Sequence, residues 1–164
     1  MLSNMQLFLK SFIYAFRGIV SAVKTQRNFR FHIVAMIYVI AFSLFYNLTK
    51  IEYMILTLVF VMVSSLELIN TSLEKAVDIC SPNYSKLAEI SKDCAAGAVL
   101  VSAIGAIVIG ILIFADMDTF MLILNYFRYN FVALLGLIIF TIISLIFIFY
   151  PFDKKKGKDN GYKN

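Results

Sequence analysis

Four long apolar stretches limit what this chain can fold into. They cover residues 33–48, 51–73, 94–115 and 130–150, and most of them are long enough to cross the hydrocarbon core of a bilayer as a helix. Hydrophobic residues make up 61% of the 164 positions, whereas soluble domains are nearer one half. The sequence therefore predicts an all-α membrane protein, made of one bundle of a few helices without a separate soluble domain.

The segment before the first apolar stretch has a different pattern. Residues 3–31 carry five Lys or Arg side chains and no acidic one. Lys10, Arg17 and Lys24 are spaced seven residues apart, so they share one face of a helix whose remaining surface is mostly apolar. This pattern is typical of an amphipathic helix at a membrane surface, with its cations toward an anionic leaflet. An ordinary helix packed on the bundle is the alternative.

These patterns divide the chain into four segments. The predicted order is a surface helix (1–31), a bundle of three transmembrane helices (32–115), a connector with one extra transmembrane helix (116–150) and a charged tail (151–164). Basic residues gather in the N-terminal segment, at 81–92 and at 154–158, and this bias predicts that all three are cytoplasmic, as are both termini. The net charge of +5 is explained by this orientation rather than by nucleic-acid binding.

Two cysteines, Cys80 and Cys94, fall on the predicted cytoplasmic side, where thiols stay reduced. The lone His32 is far from both in sequence, so these residues do not form a recognisable metal-binding pattern.

A polar stripe interrupts the second apolar stretch at E-L-I-N-T-S-L-E-K-A-V-D, residues 67–78. At 100° per residue, Glu67, Asn70, Glu74 and Asp78 lie at about 0°, −60°, −20° and +20° around a helix. Glu67 would lie roughly 9 Å inside the end of the apolar span. Ionisable groups cost several kcal/mol in hydrocarbon, so the stripe predicts a functional site.

The chemistry of the stripe suggests separate roles for its members. Glu67, the deepest, is the candidate catalytic base toward a hydroxyl, and Glu74, nearer the headgroups, is the candidate metal ligand. Asn70 between them can orient a phosphate or a hydroxyl. From the stripe alone, an ion path or a structural polar cluster is an equally good interpretation.

Lys92, just before the third apolar stretch, has two interpretations. It can reach a phosphate, or it can be a basic anchor at the membrane surface, which is the commoner role. The sequence contains neither G-x-x-x-x-G-K-[ST] nor G-x-G-x-x-G to support a nucleotide site.

Residues 10–115 resemble the integral-membrane prokaryotic diacylglycerol kinases, a family that includes the undecaprenol kinases of Gram-positive bacteria. The resemblance is carried by the stripe at 67–78, by L-A-E-I-S-K-D-C-A-A-G-A-V at 87–99 and by R-N-F-R-F-H at 27–32. It implies a homotrimeric enzyme of the bacterial cytoplasmic membrane that transfers the γ-phosphate of ATP–Mg²⁺ to a lipid alcohol. Phosphoryl transfer needs mainly positioning and charge neutralisation, which a small protein can supply.

The resemblance also assigns residues. It matches Glu67 to the catalytic base and Glu74 to a metal ligand, and it makes Asn70 and Asp78 polar members of the site. Lys92 and Asp93 match the nucleotide-contacting pair, and we add Arg17 of the surface helix to the predicted nucleotide site.

Two features depart from the family pattern. A second metal-binding Glu usually precedes the R-N-x-R-x-H motif, and here that position is Gln26, whose amide offers an oxygen without the charge. The fourth apolar stretch is an addition to the usual three, and it faces either lipid or another protein.

The A-A-G-A-V stretch and R-N-F-R-F-H resemble the Gram-positive branch of the family, which implies undecaprenol as the acceptor. Diacylglycerol is the alternative, because both lipids present a primary hydroxyl and long apolar tails. Two other classes remain: a non-catalytic scaffold related to these kinases, which Gln26 and the added helix would suit, and a small transporter. A transporter would need polar residues at mid-depth in several spans, and the first and fourth apolar stretches have almost none.

Overall fold

The protein is a bundle of α-helices in the computed structural model, which describes residues 4–152. That part of the chain contains six helices and no strand. They are α1 (Asn4–Thr25), α2 (Arg27–Ser43), α3 (Lys50–Cys80), α4 (Lys86–Phe114), α5 (Met117–Tyr129) and α6 (Phe131–Phe149). The all-α membrane fold predicted from the sequence is therefore confirmed. The predicted charged tail lies, apart from residues 151 and 152, outside the described residues.

Four of these helices are long and apolar enough to cross a membrane: α1 from Met5 onward, α3, α4 and α6. The last three coincide with the predicted spans at 51–73, 94–115 and 130–150. The predicted span at 33–48 falls on α2, which has 17 residues, somewhat fewer than the roughly 20 that a straight crossing uses. Length and composition alone thus also admit α1, for which the sequence predicted a surface position.

Several helix boundaries differ from the sequence-based expectation. The basic N-terminal segment is two helices, because Gln26 has an extended backbone (φ −108°, ψ 112°). Helix α4 begins at Lys86, so the connector after α3 comprises residues 81–85 and not the predicted 81–92. The segment 116–128, predicted as a connector, forms α5, whose first turn is capped by Asp116.

Contacts between the helices define two ends of the bundle. At one end, which we call the carboxylate end, Lys92 pairs with Asp78, and Arg30 near the start of α2 reaches Ile148 at the end of α6. At the opposite end, which we call the far end, the Tyr46 hydroxyl donates to the Phe114 carbonyl at 3.3 Å. It follows that α3 and α4 run antiparallel, as do α2 and α6.

The middle of the α2–α6 pair is closed by a polar contact and an aromatic one. The hydroxyl oxygens of Tyr38 and Thr141 are 2.8 Å apart, and the rings of Tyr38 and Phe140 meet edge to face at 5.2 Å between centroids. Helix α6 is therefore seated along most of α2 rather than touching it at one point. Its outer face, which includes Ile138, Ile142 and Leu145, stays exposed and apolar, as expected for contact with lipid.

Candidate active site

The predicted polar stripe is brought together on α3, and its deepest members are buried. Glu67 is 2% exposed and Asn70 is 8% exposed. The neighbouring Thr71 is also buried and donates its hydroxyl to the Glu67 carbonyl at 2.9 Å. Glu74, one turn after Asn70, is half-buried. The helix periodicity predicted that these side chains share one face, with Glu67 the deepest in the membrane.

Asn70 binds Glu74 through its amide nitrogen and keeps one free acceptor. Its amide nitrogen donates to Glu74 Oε1 at 3.0 Å. Its Oδ1 is buried and has no hydrogen-bond partner within the described part of the chain. Because an unpaired buried acceptor is costly, this oxygen is positioned to receive a ligand.

The donor chemistry at this point fits a hard cation. Asn70 Oδ1 and the Glu74 carboxylate are oxygen ligands of the kind that Mg²⁺ prefers, and Mg²⁺ commonly uses one or two protein carboxylates together with substrate phosphates. Within residues 4–152, no three His, Cys, Asp or Glu side chains converge to form a complete metal cage. The residues therefore suit a cation that is shared with a phosphate-bearing substrate.

The predicted nucleotide residues Lys92 and Asp93 lie at the mouth of the site. Lys92 forms an ion pair with Asp78, which joins the last turns of α3 to the second turn of α4. The Asp78 side chain is 66% exposed, and Asp93 is also exposed. An ion pair at such a surface is worth only about 0–1 kcal/mol, so a phosphate can replace Asp78 as the partner of Lys92.

Helix α1 contributes the remaining predicted residues and is tied to α3. Lys75 donates to the Ser21 hydroxyl at 3.2 Å. Arg17 is exposed and lines a cleft of about 280 Å³ together with Lys24 and Phe152, apart from the stripe itself. Gln26 is half-buried at the break between α1 and α2, and its side chain does not cap α2. The structure thus groups Glu67, Asn70 and Glu74, and separately Asp78 and Lys92, while Arg17 lines a different cleft.

An apolar groove leads from the stripe toward the far end. It measures about 370 Å³ and lies between α2, α3 and α4, from His32 at one end to Phe114 at the other. Val63 lines it and is one helical turn, about 6 Å, from Glu67. The groove therefore offers a hydrocarbon chain a path that ends beside the buried carboxylate.

Sequence reasoning missed one residue near the site, Arg30. It belongs to the basic residues of the N-terminal segment and to the R-N-F-R-F-H motif, which give it no role of its own, whereas it is 4% exposed and binds backbone carbonyls of α1 and α6. An arginine between two phenylalanines, Phe29 and Phe31, is the signal in the sequence that could have indicated its burial.

The fold and the site define a small helical membrane protein with a buried, oxygen-rich polar site at one end of its bundle. The chain belongs to the prokaryotic diacylglycerol kinase family, whose sequence profile matches residues 13–114. It is therefore a lipid kinase. Helices α5 and α6 lie outside the matched region.

Two relatives illustrate the range of the family. The chain is 44% identical over 107 residues to an undecaprenol kinase of Bacillus subtilis (strain 168), covering 65% of this chain and 87% of that protein. It is 46% identical over 103 residues to a diacylglycerol kinase of Synechocystis sp., covering 62% of this chain and 59% of that protein. The alignment thus spans less than two thirds of the second relative. No solved structure matches the chain significantly.

Proposed function

We propose that the protein transfers the γ-phosphate of ATP to the hydroxyl of undecaprenol at the cytoplasmic face of a bacterial membrane. The single observation that carries the proposal is the buried Glu67 carboxylate beside the unpaired Asn70 Oδ1. A polar pair of this kind in an apolar bundle is costly, and phosphoryl transfer uses both a proton acceptor and an orienting group.

Glu67 is the group that accepts the proton of the lipid hydroxyl. As the hydroxyl oxygen attacks, a new O–Pγ bond forms, the bond between Pγ and the bridging oxygen of the β-phosphate breaks, and ADP leaves. The proton moves to a Glu67 oxygen. Asn70 holds the reacting groups in line, which matters because positioning supplies most of the rate enhancement in such transfers.

Lys92 releases Asp78 and binds a phosphate of the nucleotide in its place. The exchange is inexpensive because the ion pair is at the surface. Asp93 beside it, and Arg17 on α1, complete the predicted nucleotide contacts. Because the cleft that Arg17 lines does not include the stripe residues, Arg17 is assigned to the outer part of the nucleotide.

Glu74 and Asn70 Oδ1 would hold the Mg²⁺ that accompanies ATP, and Gln26 would add an amide oxygen from the start of α2. When bound, the cation neutralises charge on the phosphate oxygens. Because Gln26 lacks the charge of a carboxylate, the affinity for Mg²⁺ should be weaker, and this protein should need more Mg²⁺ than a chain with Glu at that position.

The apolar groove between α2, α3 and α4 supports a lipid acceptor. A prenyl chain lying in it would present its terminal hydroxyl near Glu67, because the groove ends one turn away at Val63. The undecaprenol kinase relative is covered over 87% of its length, which favours undecaprenol. Diacylglycerol is the second candidate, favoured by the 46% identity to the Synechocystis enzyme.

The proposed placement in the membrane follows the charge pattern. Helix α1 lies in the cytoplasmic interface because Lys10, Arg17 and Lys24 recur along its length. Helices α2, α3, α4 and α6 cross, and the carboxylate end, both termini and the anionic leaflet are on the cytoplasmic side. A homotrimer is proposed from the family resemblance, and chemical crosslinking that yields monomers alone would reject it.

The test is lipid phosphorylation by the purified full-length protein in detergent micelles, with Mg²⁺ and ATP that is radiolabelled at its γ-phosphate. Undecaprenol and diacylglycerol are supplied in separate reactions. We expect labelled undecaprenyl phosphate to form faster, at equal acceptor mole fraction, than labelled phosphatidic acid. The reverse order would replace undecaprenol with diacylglycerol as the acceptor.

Glu67→Gln provides the blank for both reactions, and Glu52→Gln is the matched control. Glu52 is on the same helix but at the far end, where a Gln preserves its capping interaction with Thr49. A parent protein that labels neither lipid above Glu67→Gln would favour the non-catalytic scaffold.

A further inference from the structure

Arg30 joins the ends of three helices at the carboxylate end. Its guanidinium is almost fully buried, with the residue 4% exposed. Nε and Nη2 donate to the Ile148 carbonyl of α6, at 3.1 and 2.8 Å. Nη1 donates to the Val23 and Lys24 carbonyls of α1, at 2.9 and 3.2 Å. All three guanidinium nitrogens are therefore committed to backbone carbonyls from opposite ends of the chain.

The physical reason for this arrangement is that helices end in unpaired carbonyls. The last four carbonyls of an α-helix have no partner within it, and the partial negative charge there favours a cation. Helices α1 and α6 both end against Arg30, so one cation serves two helix ends. Arginine can do this because its donors form a rigid planar fork, while a lysine offers a single nitrogen.

The contact with α6 extends beyond the hydrogen bonds. The Phe152 ring centroid lies 5.3 Å from the Arg30 guanidinium carbon, and the Phe149 ring lies 5.7 Å from that of Arg27. Further along, Tyr38 and Thr141 pair through their hydroxyls. Helix α6 is thus held to α2 both at the Arg30 junction and near the middle of the two helices.

The junction matters because α1 has few other anchors on the bundle. Its described polar link to α3 is the exposed hydrogen bond from Lys75 to Ser21. Gln26, which joins α1 to α2, lies in the sequence between Arg30 and the α1 residues that Arg30 binds, Val23 and Lys24. The position of α1, and with it that of Arg17 and Gln26, therefore depends on whether Arg30 is held by α6.

We propose that α6 acts as a brace that positions the surface helix over the active site, with Arg30 as the positioning residue. The part of the proposal that concerns catalysis rests on the proposed function, since it assigns Arg17 and Gln26 to ATP and its cation. The brace is a property of this chain's C-terminal helix, which lies beyond the residues that define the family.

The first experiment measures steady-state kinetics of full-length Arg30→Lys, with Arg128→Lys as the matched control. Arg128 is exposed on α5 at the far end and contacts the Tyr129 ring. We expect KM for ATP to rise about tenfold in Arg30→Lys, with kcat within about twofold, because α1 is displaced while Glu67 is not. Arg128→Lys should leave both parameters unchanged.

A second measurement does not depend on catalysis. The chain contains no tryptophan, so Phe12→Trp in α1 gives a single tryptophan, whose fluorescence can be excited selectively, on an exposed position of that helix. In vesicles with brominated lipids, quenching of this Trp reports the depth of α1. Adding Arg30→Lys should change the quenching, and adding Arg128→Lys should not. This result stands even if the lipid substrate proves to be different from the one proposed.

Thr141→Val tests whether α6, rather than Arg30 alone, carries the effect. It removes the contact to Tyr38 without touching α1. We expect a smaller rise in KM for ATP in the same direction, and non-additive effects when it is combined with Arg30→Lys, because both loosen the same helix. Strictly additive effects, or unchanged quenching and KM in both variants, would overturn the brace. If Arg30→Lys fails to fold, Thr141→Val alone decides by the same two readouts.

Discussion

The two ends of the bundle use polar residues in different ways. At the far end, three capping side chains pair with groups three residues away, namely Thr49 with Glu52, Asp116 with Thr119 and Asn130 with Ala133, and the Tyr46 hydroxyl makes a distant contact, to Phe114. At the carboxylate end, Arg30 and Lys75 bind partners distant in sequence, Ile148 and Ser21, and Asn70 Oδ1 has no partner within the described chain.

The difference separates local structure from function. The capping side chains at the far end satisfy the first backbone N–H groups and then have little capacity left. At the carboxylate end, Arg30 and Lys75 join separate helices, and Asn70 keeps an unused acceptor. Substitutions at the far end should therefore change stability, and matched substitutions at the carboxylate end should change activity.

The largest expected effect is that of Glu67→Gln. Removing a catalytic base should lower kcat by about 10²–10⁴. Because the variant also removes a buried charge, its thermal unfolding midpoint should be equal to or above that of the parent. Kinetics with the preferred lipid and a thermal melt in detergent measure both quantities.

The far-end control for Glu67 is Glu52→Gln, which should keep the parent kcat. A Glu67→Gln protein that retains more than about one tenth of the parent kcat would remove Glu67 from the role of base.

Asn70→Ala and Asn130→Ala apply one substitution to both ends. Losing the unpaired oxygen of Asn70 should raise the Mg²⁺ concentration for half-maximal activity by at least about tenfold. Losing the Asn130 cap of α6 should cost about 1 kcal/mol of stability and leave Mg²⁺ dependence unchanged. A Mg²⁺ titration of initial rates, paired with thermal melts, separates the two outcomes. Equal Mg²⁺ dependence in the two variants would contradict the comparison.

Gln26→Glu should give a smaller effect of opposite sign. Adding a carboxylate at a half-buried position near the site should lower the Mg²⁺ concentration for half-maximal activity by about two- to fivefold. The matched control is Gln6→Glu, near the start of α1 and far along that helix from its junction with α2. An unchanged titration curve for Gln26→Glu would exclude residue 26 from the cation site.

The smallest expected effect concerns the pH dependence of stability at the far end. The Thr119 hydroxyl donates to Asp116 and lowers the pKa of that carboxyl below its usual value. A lowered pKa in the folded state means that the carboxylate stabilises the protein above the unfolded pKa of about 3.9, and that this contribution is lost as the pH falls through the folded pKa.

Asp116→Asn keeps a side chain that can cap α5 but removes this titration. The difference in melting midpoint between parent and variant should shrink as the pH is lowered from about 6 toward about 3. This pH range covers the values at which carboxyl groups usually titrate, about 2–5. Asp118→Asn, in the first turn of the same helix, is the control. A difference in melting midpoint that stays constant with pH would contradict the prediction that titration of Asp116 contributes to stability.

The features that the sequence predicted are those set by local periodicity. Helical spacing places Glu67, Asn70 and Glu74 on one face, and this grouping needed no tertiary information. The extent of burial did need it, because Asp78 shares the face and yet its side chain is 66% exposed. The three long apolar helices α3, α4 and α6 follow from composition in the same way. The role of each residue in the reaction remains a prediction.

The features that the sequence did not predict depend on distant contacts. The helix break at Gln26 has neither a Gly nor a Pro to signal it. Arg30 binds carbonyls of the preceding helix and also that of Ile148, which is 118 residues later in the sequence. Helix α5 was missed because its mixed composition resembles that of a polar connector, although Asp116 provides a helix start.

The Arg30 junction also has a consequence for biosynthesis. Arg30 is made early, whereas its partner Ile148 is near the end of α6. During synthesis, the guanidinium has its α1 partners Val23 and Lys24 at once but lacks its α6 partner until that helix has been translated. The junction of α1, α2 and α6 is therefore completed only after α6 has inserted.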